Sequence, residues 1–206
     1  MTHHNKLFGL SPEAGRWIYV ITGLIICLCL GSVYAYSIFL NPIIKEFSSE
    51  GYQLSASQGN LPFMVFLAFF SILMFFAGKI MDKLGPKKLT IYGGLVVGLG
   101  WALSYYAVEA KSLNLLILTY GVIAGSGVGV VYGCPLNIVG KWFPDKKGLT
   151  TGLVLAGFGG SALITGKIAN ILIQQSSLSL TFLYFGIGFA ILLVLLALPF
   201  KSPEAG

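Results

Sequence analysis

Residues Gly121–Gly160 read GVIAGSGVGVVYGCPLNIVGKWFPDKKGLTTGLVLAGFGG and decide the fold. Two apolar stretches flank the charged loop Lys141–Lys147. Small residues recur at every fourth position in both stretches, at Gly121, Gly125, Gly129 and Gly133 before the loop and at Gly148, Gly152, Ala156 and Gly160 after it. This spacing places each set on one helix face, where a neighbouring backbone can approach closely, as membrane helices require. The segment therefore predicts two packed transmembrane helices joined by a basic loop.

The composition of the whole chain agrees with a membrane location. Its 206 residues are 56% hydrophobic and only 10% charged, with a mean hydropathy of +0.85. Soluble domains carry about 25% charged residues. The net charge of +6 comes mainly from short loops and does not indicate nucleic-acid binding. The cysteines and histidines show neither a disulfide framework nor a metal-ligand spacing, and no cofactor is predicted.

Apolar runs of sufficient length for a membrane crossing occur six times along the chain. The predicted spans are 16–39, 61–81, 88–108, 113–139, 147–173 and 180–200, all helical because lipid leaves no partner for an open sheet edge. The first run is too long for the apolar region of a signal peptide. We therefore predict a six-helix transmembrane domain at 16–200 between tails at 1–15 and 201–206.

Basic residues are distributed very unevenly among the connections. With the N-terminus in the cytoplasm, the inside segments hold ten of the 13 basic residues and the outside segments hold only Lys45 and Lys111, while Lys167 lies in a span. Cytoplasmic loops of membrane proteins carry an excess of lysine and arginine. Both termini are therefore predicted to be cytoplasmic, and the protein is predicted to be an all-α protein of the cell (cytoplasmic or inner) membrane.

Two short sequence similarities indicate an internal repeat. Gly31-Ser-Val-Tyr34 in the first span resembles Gly129-Val-Val-Tyr132 in the fourth, and Ala77-Gly-Lys-Ile80 in the second resembles Thr165-Gly-Lys-Ile168 in the fifth. The first and fourth spans run in opposite directions. The pattern therefore predicts a 3+3 inverted repeat, an arrangement found in many secondary transporters.

The connection between the second and third spans carries a recognisable motif. It fits G-x-x-x-D-[RK]-x-G-x-[RK]-[RK], with Gly78, Asp82, Lys83, Gly85, Lys87 and Lys88 at the defined positions. This resembles the signature loop of the major facilitator superfamily. The resemblance implies one six-helix half of that fold and a gating role for the loop, with its glycine allowing a close helix crossing and its cations at the cytoplasmic headgroups. An ordinary basic loop with a turn glycine is the alternative.

A narrower resemblance covers nearly the whole chain. Gly127–Gly133, Asn137, Lys141–Gly148, Ala156–Gly159 and the first-helix residues Gly31–Tyr34 and Asn41-Pro42 resemble the oxalate/formate antiporter family, which itself resembles monocarboxylate transporters. The match spans only the N-terminal half of a twelve-helix member. It implies transport of a small organic anion between two six-helix halves, with a C-terminal half or a second copy as partner.

The same resemblance implies substrate contacts at Tyr34, Tyr132 and Phe158. The two phenols can donate a hydrogen bond to a carboxylate without burying a charge. Phe158 lacks a hydroxyl that some family members use. The helix-four arginine and helix-five Gly-Pro pair of drug–proton antiporters are also missing, which argues against drug export. Tyrosines hydrogen-bonded within a helical core are the alternative interpretation.

Three further residues are candidates for substrate binding. Tyr36 and Asn137 are polar groups in apolar runs and suit helix packing equally well. Lys167 lies twenty residues beyond Lys147, or ~30 Å along a helix, which places it near the outer interface. There its side chain can either reach the lipid headgroups or attract anions.

Other functional classes remain as alternatives with different sequence requirements. Ser126 in Gly125-Ser-Gly127 resembles the serine of rhomboid-like proteases, but no histidine base follows His4. No catalytic residue is therefore predicted. A channel built around Asn41-Pro42 would need a second copy of that motif, which this chain does not have. A structural or regulatory six-helix protein is a further alternative, and it would transport no solute. The sequence favours exchange or symport of small carboxylates such as oxalate or formate by alternating access.

Overall fold

A computed structural model describes residues 7–48 and 53–203 of the chain. Its α-helices are α1 (Pro12–Gly15), α2 (Trp17–Leu30), α3 (Tyr36–Phe47), α4 (Ala56–Gly59), α5 (Leu61–Glu109), α6 (Leu113–Leu116), α7 (Gly125–Trp142), α8 (Lys147–Gln175) and α9 (Leu178–Ala197). A 3-10 segment, Gly31–Ala35, joins α2 to α3, and a π-helical segment, Ile117–Ala124, joins α6 to α7. The fold of the described residues is thus all-helical, as predicted.

The first helical stretch, α2 to α3, is longer than the sequence predicted. The first predicted span ends at residue 39 and the second begins at residue 61, which leaves Asn41–Asn60 as a predicted loop between them. Instead, α3 continues through Pro42 to Phe47. Phe39, Ile43 and Phe47 recur every fourth residue and are all buried, so packing of one helix face extends the helix past the proline. The Ser55–Gln58 part of that predicted loop forms a capping box at the start of α4. Its Ser49–Gly51 part lies outside the described residues.

The second and third predicted spans form one bent helix, α5. Gly85 alone has non-helical angles, with φ 76° and ψ 157°. A positive φ is readily adopted by glycine and strained for other residues, and the following Pro86 suits the first turn of a new helical segment. The bend divides α5 into a first limb, residues 61–84, and a second limb, residues 86–109.

Five helical stretches among the described residues are long and apolar enough to cross a membrane. They are Pro12–Phe47, Ala56–Glu109, Leu113–Trp142, Lys147–Gln175 and Leu178–Ala197. The second has 54 residues, or ~80 Å of helix, more than twice the ~30 Å of a hydrocarbon core. The structure has five such stretches where the sequence predicted six spans, because the second and third predicted spans are continuous in α5. Only Gly85 departs from helical angles between them.

The helices pack through small residues. The segment 117–142 lies between the limbs of α5, with Gly125 against Phe66 of the first limb and Gly127 against Val97 of the second. The second limb also packs on α9, while α8 packs on α2. Around Trp101, aromatic side chains fill the centre of the bundle; its ring contacts Phe39, Tyr120, Phe182, Phe185 and Phe189.

An arginine ties the start of α2 to the connection between α7 and α8. Arg16 donates two hydrogen bonds to the carboxylate of Asp145, at 2.8 and 3.0 Å, and a third to the Trp142 carbonyl oxygen at 3.3 Å. Its guanidinium carbon also lies 4.4 Å from the centroid of the buried Phe143 ring. A bidentate guanidinium fixes orientation as well as distance, so this connection is held in one place.

The end of α9 is fastened at the same end of the bundle. The Trp142 indole donates to the Lys201 carbonyl oxygen at 2.8 Å, and the Lys87 ammonium donates to the Leu198 carbonyl oxygen at 2.6 Å. We call this end, marked by Arg16, Gly85, residues 142–147 and Lys201, the basic end. It links the starts of α2 and of the second limb of α5 to the end of α9.

The Arg16–Asp145 pair predicts a small pH dependence of stability. Hydrogen bonding to Arg16 holds the pKa of the exposed Asp145 carboxyl below its usual value. A carboxyl whose pKa is lowered by folding stabilises the fold above its ordinary pKa and loses this effect as the pH falls through the folded-state value. The Asp145→Asn variant is therefore expected to melt at a lower temperature than wild type at pH 7, by a small margin because the pair is exposed.

This difference should shrink as the pH falls toward 3. The control is Glu13→Gln, which removes an exposed carboxylate with no ion pair among the described residues. Melting temperatures in detergent at pH 7, 5 and 3 give the comparison. An Asp145→Asn difference that stays constant over this range would contradict the assignment to the ion pair.

Candidate functional site

Three of the residues predicted to contact substrate meet in one aromatic cluster. The Tyr34 and Tyr132 rings both make edge contacts with Phe158, with centroid distances of 5.4 and 5.0 Å. A fourth ring, Phe70, contacts Tyr132 edge-on at 5.4 Å and stacks on Phe158 at 6.2 Å. We call these four residues the aromatic cluster. It joins the 3-10 segment, the first limb of α5, α7 and α8.

The aromatic cluster is built from the same local arrangement used twice. Gly31 lies against the Phe158 carbonyl, and Tyr34 three residues later contacts the Phe158 ring edge-on at an interplanar angle of 85°. Gly129 lies against the Phe70 carbonyl, and Tyr132 contacts the Phe70 ring edge-on at 87°. In each copy the glycine admits the partner backbone, and this approach brings the tyrosine onto the partner phenylalanine.

The sequence offsets of the two copies are constant. Gly31 and Gly129 are 98 residues apart, as are Tyr34 and Tyr132. Phe70 and Phe158 are 88 residues apart, as are the glycines of the second predicted similarity, Gly78 and Gly166. The first similarity therefore marks the glycine and tyrosine of one repeated contact, and the phenylalanines of that contact share the offset of the second similarity.

The cluster offers phenol groups in otherwise uncharged surroundings. Tyr34 is 49% exposed, Tyr132 is half-buried and Phe158 is buried. No hydrogen bond within the described part of the chain uses either phenol oxygen, whereas Tyr36 is bonded. The four segments that supply the rings, residues 17–44, 61–78, 113–140 and 148–166, contain no Asp, Glu, Lys or Arg. The two hydroxyls are therefore available to an acceptor.

The cluster lies well inside its helices. Tyr34 follows Trp17 by 17 residues and Phe158 follows Lys147 by 11 residues, which corresponds to ~25 and ~16 Å along the helices. Tyr132 precedes Trp142 by ten residues, or ~15 Å. These distances from the basic end are comparable to half the ~30 Å hydrocarbon thickness or somewhat more. Both tyrosines thus lie well inside the helical segments that supply them, and both contact the Phe158 ring.

Tyr36 lies in the core, away from the aromatic cluster. Its hydroxyl donates to the Gly59 carbonyl oxygen at 2.6 Å, and its ring stacks on Phe63 at 5.6 Å and packs on Tyr120 at 5.3 Å. Only 3% of its surface is exposed. The contacts of Tyr36 match the packing alternative, in which it joins α3 to the start of α5.

The other two candidates occupy separate positions. Asn137 lies on α7 five residues beyond Tyr132 and is half-buried, and its Oδ1 is buried without a hydrogen-bond partner among the described residues. Lys167 is exposed on α8, nine residues beyond Phe158. That separation is ~13 Å along the helix, so Lys167 lies toward the end of the bundle opposite the basic end.

The signature motif forms the bend of α5. Gly85 supplies the positive φ, and Lys87 holds the end of α9, as described above. Asp82, Lys83 and Lys88 are exposed. The close helix crossing predicted at Gly78 is wrong within the described chain, since a Cβ there would meet no atom within 4 Å. Its exposed position on the first limb of α5 leaves nothing to cross it.

Sequence reasoning missed Phe70 as a member of the site. The chain has 15 phenylalanines, and neither composition nor the recognised motifs distinguish this one. The offset of 88 residues between Gly78 and Gly166 was the available signal, because applying it to Phe158 leads to Phe70. No cluster of three or more His, Cys, Asp or Glu residues that could bind a metal occurs in residues 7–48 and 53–203.

Comparison with known proteins identifies the family of the chain. The family profile described as Major Facilitator Superfamily matches residues 12–206. The chain belongs to the major facilitator superfamily. Its relatives include the oxalate:formate antiporter of Oxalobacter formigenes, which is 30% identical over 189 residues, covering 91% of this chain and 43% of the antiporter.

Two eukaryotic relatives extend the comparison. Monocarboxylate transporter 14 of Mus musculus is 34% identical over 152 residues, or 72% of this chain and 28% of the transporter. Apicoplast pyruvate carrier 1 of Toxoplasma gondii is 36% identical over 103 residues, or 50% of this chain and 18% of the carrier. The chain therefore spans less than half the length of these superfamily relatives.

Proposed function

We propose that this chain forms the N-terminal half of a secondary carrier that moves small carboxylates across the cell membrane by alternating access. The observation that carries the proposal is the aromatic cluster, where Tyr34 and Tyr132 present phenol groups on uncharged helices at membrane depth. Phenols bind a carboxylate by charge-assisted hydrogen bonds without a buried countercharge. The names of the relatives, an oxalate:formate antiporter, a monocarboxylate transporter and a pyruvate carrier, support the substrate class.

We further propose six membrane spans with both termini in the cytoplasm. The two limbs of α5 then cross the membrane in opposite directions around Gly85, and the basic end is cytoplasmic. Three observations support this topology: the length of α5, the excess of basic residues at that end, and the repeated glycine–tyrosine contact expected of a 3+3 inverted repeat.

The topology predicts the sides from which single cysteines react. In a variant without the three native cysteines, cysteines at the exposed positions Lys88 and Lys146 should react with a membrane-impermeant maleimide only from the cytoplasmic side. A cysteine at the exposed position Glu109 should react only from outside. Intact cells and inverted membrane vesicles give the two comparisons. Reaction of Lys88→Cys in intact cells would overturn the orientation.

Transport itself is tested by reconstitution. Alternating access requires two bundles that move about a shared site, and this chain supplies one. Proteoliposomes are expected to take up labelled oxalate, formate or lactate saturably when the chain is paired with a C-terminal six-helix half or a second copy. A demonstrated monomer of the chain should show no saturable uptake.

Either outcome of this assay is informative. Saturable uptake by the monomer would contradict the need for a second half. Absence of uptake for every carboxylate in the completed assembly would contradict transport and favour a structural or regulatory membrane protein.

We also propose that Lys167 and Asn137 make secondary contacts with the substrate. The loop Gly78–Lys88 is a proposed gating element.

A further inference from the structure

Phe70 and Phe158 form an apolar surface of two stacked rings that the two tyrosines contact. Their rings stack with a centroid distance of 6.2 Å and an interplanar angle of 23°. Tyr34 borders this surface at Phe158, and Tyr132 touches both phenylalanines. A molecule held by the phenol groups therefore lies against two phenyl rings, with Phe70 half-buried and Phe158 8% exposed.

The repeat gives Phe70 and Phe158 equivalent positions. Each receives a glycine against its carbonyl and a tyrosine edge-on against its ring. Of these two phenylalanines, only Phe158 was implied as a substrate contact by the resemblance to the oxalate/formate antiporter family. Because each ring has a glycine against its carbonyl and a tyrosine against its edge, Phe70 is placed to contact substrate in the same way as Phe158.

The chemistry of this surface distinguishes between carboxylates. The four segments that form it carry no charge, and the cost of removing an ion from water rises with the square of its charge, which penalises a dianion more than a monoanion. Two adjacent phenyl rings favour burial of methylene groups by about 25 cal/mol per Å². Two phenol hydroxyls match one carboxylate, and no third donor is contributed by either phenylalanine.

We propose that Phe70 contacts the substrate and, with Phe158, makes the carrier select monocarboxylates with a short apolar tail over formate and over the dicarboxylate oxalate. The carboxylate binds the tyrosine hydroxyls and the tail lies on the two phenyl rings. This proposal rests on the proposed function, since it specifies the substrate of the same site.

The first test compares a series of unlabelled competitors. The chain is expressed from its own gene locus, so that any partner segment it needs is present, and uptake of labelled lactate into membrane vesicles is measured against formate, acetate, propionate, butyrate and oxalate. Half-inhibitory concentrations are expected to fall roughly two- to fourfold for each added methylene. Oxalate and formate should be the weakest inhibitors.

The second test adds a hydroxyl to the apolar surface. Phe70→Tyr and Phe158→Tyr each keep the ring and supply a third donor for a second carboxylate. Each is expected to lower the half-inhibitory concentration of oxalate relative to that of butyrate by about tenfold. The matched control is Phe75→Tyr on the same limb of α5, where the ring is 77% exposed and contacts Phe76 instead of the cluster. It should leave the ratio unchanged.

The outcomes separate this proposal from the proposed function. If no carboxylate is taken up, the proposed function fails, and this proposal with it. If oxalate or formate inhibits at lower concentration than butyrate, transport stands and the apolar-tail selection is overturned. If Phe158→Tyr shifts the ratio and Phe70→Tyr, melting at the wild-type temperature, does not, Phe70 is a packing residue.

Discussion

Replacing Gly129 with alanine is expected to lower the free energy of unfolding by about 2–3 kcal/mol, the upper part of the range for overpacking a tight helix contact. A Cβ on Gly129 would lie 2.5 Å from the Phe70 carbonyl oxygen and 3.0 Å from the Leu73 side chain. The first of these atoms belongs to a helix backbone and cannot rotate away. The change must therefore separate α7 from the first limb of α5.

The same helix provides the control for this substitution. Gly133 lies one turn further along α7, and a Cβ there would meet no atom within 4 Å. Gly133→Ala should leave stability unchanged or raise it, since alanine favours a helix by up to about 1 kcal/mol over glycine. Denaturation of the purified chain in mixed micelles, followed by circular dichroism, measures both. Equal stability of the two variants would contradict the close packing of α7 on α5.

Gly31→Ala extends the prediction to the other copy of the repeat. Gly31 lies against the Phe158 carbonyl and the Ser161 side chain, so its replacement should destabilise the contact between the 3-10 segment and α8 to a similar extent. Because each glycine positions a tyrosine three residues later, both variants should also reduce transport in the completed carrier. A variant that unfolds more readily but transports normally would show that the tyrosine positions tolerate such a shift.

The sequence predicts most of the helices because apolar length and turn chemistry are local properties. It fails where tertiary packing overrides them, as at Pro42, which helix α3 passes because Phe39, Ile43 and Phe47 are buried on one face. The π-helical segment Ile117–Ala124 has no local signature of this kind. Its register depends on how α7 packs between the limbs of α5.

The site was predictable in part. Tyr34, Tyr132 and Phe158 follow from the resemblance to the oxalate/formate antiporter family and from the phenol groups that two of them place in apolar runs, and the structure brings their rings together. Tyr36 was a candidate as a polar group in an apolar run, with helix packing as the alternative. Its side chain points away from the aromatic cluster because two residues advance roughly 200° around a helix. The 3-10 segment Gly31–Ala35 also changes the direction that side chains of α3 take relative to those of α2.

Removing the hydroxyl of Tyr34 or Tyr132 is expected to weaken carboxylate binding by about ten- to hundredfold. A hydrogen bond to a charged group contributes about 1.5–3 kcal/mol, and each factor of ten in affinity corresponds to about 1.4 kcal/mol. The Tyr34→Phe and Tyr132→Phe variants retain the rings that contact Phe158. Since neither phenol has a partner among the described residues, their loss should leave the melting temperature near that of wild type.

Tyr36→Phe is the matched control, because it removes the same atom from a neighbouring position with a different role. Its hydroxyl donates to the Gly59 carbonyl oxygen at 2.6 Å in the core, so the variant leaves a buried acceptor unpaired and should lose about 1–3 kcal/mol of stability. Its affinity for oxalate, formate and lactate should not change. Binding is measured beside the melting temperature, in the completed carrier.

The two classes of tyrosine are therefore expected to affect opposite quantities. If Tyr34→Phe and Tyr132→Phe lower the melting temperature and leave every affinity unchanged, their phenols stabilise the helix bundle, and the carboxylate proposal rests on the relatives alone. If only one of them weakens binding, the anion contacts one copy of the repeat. Equal losses in both variants would indicate that one carboxylate binds both phenols, beside the Phe158 ring that both tyrosines contact.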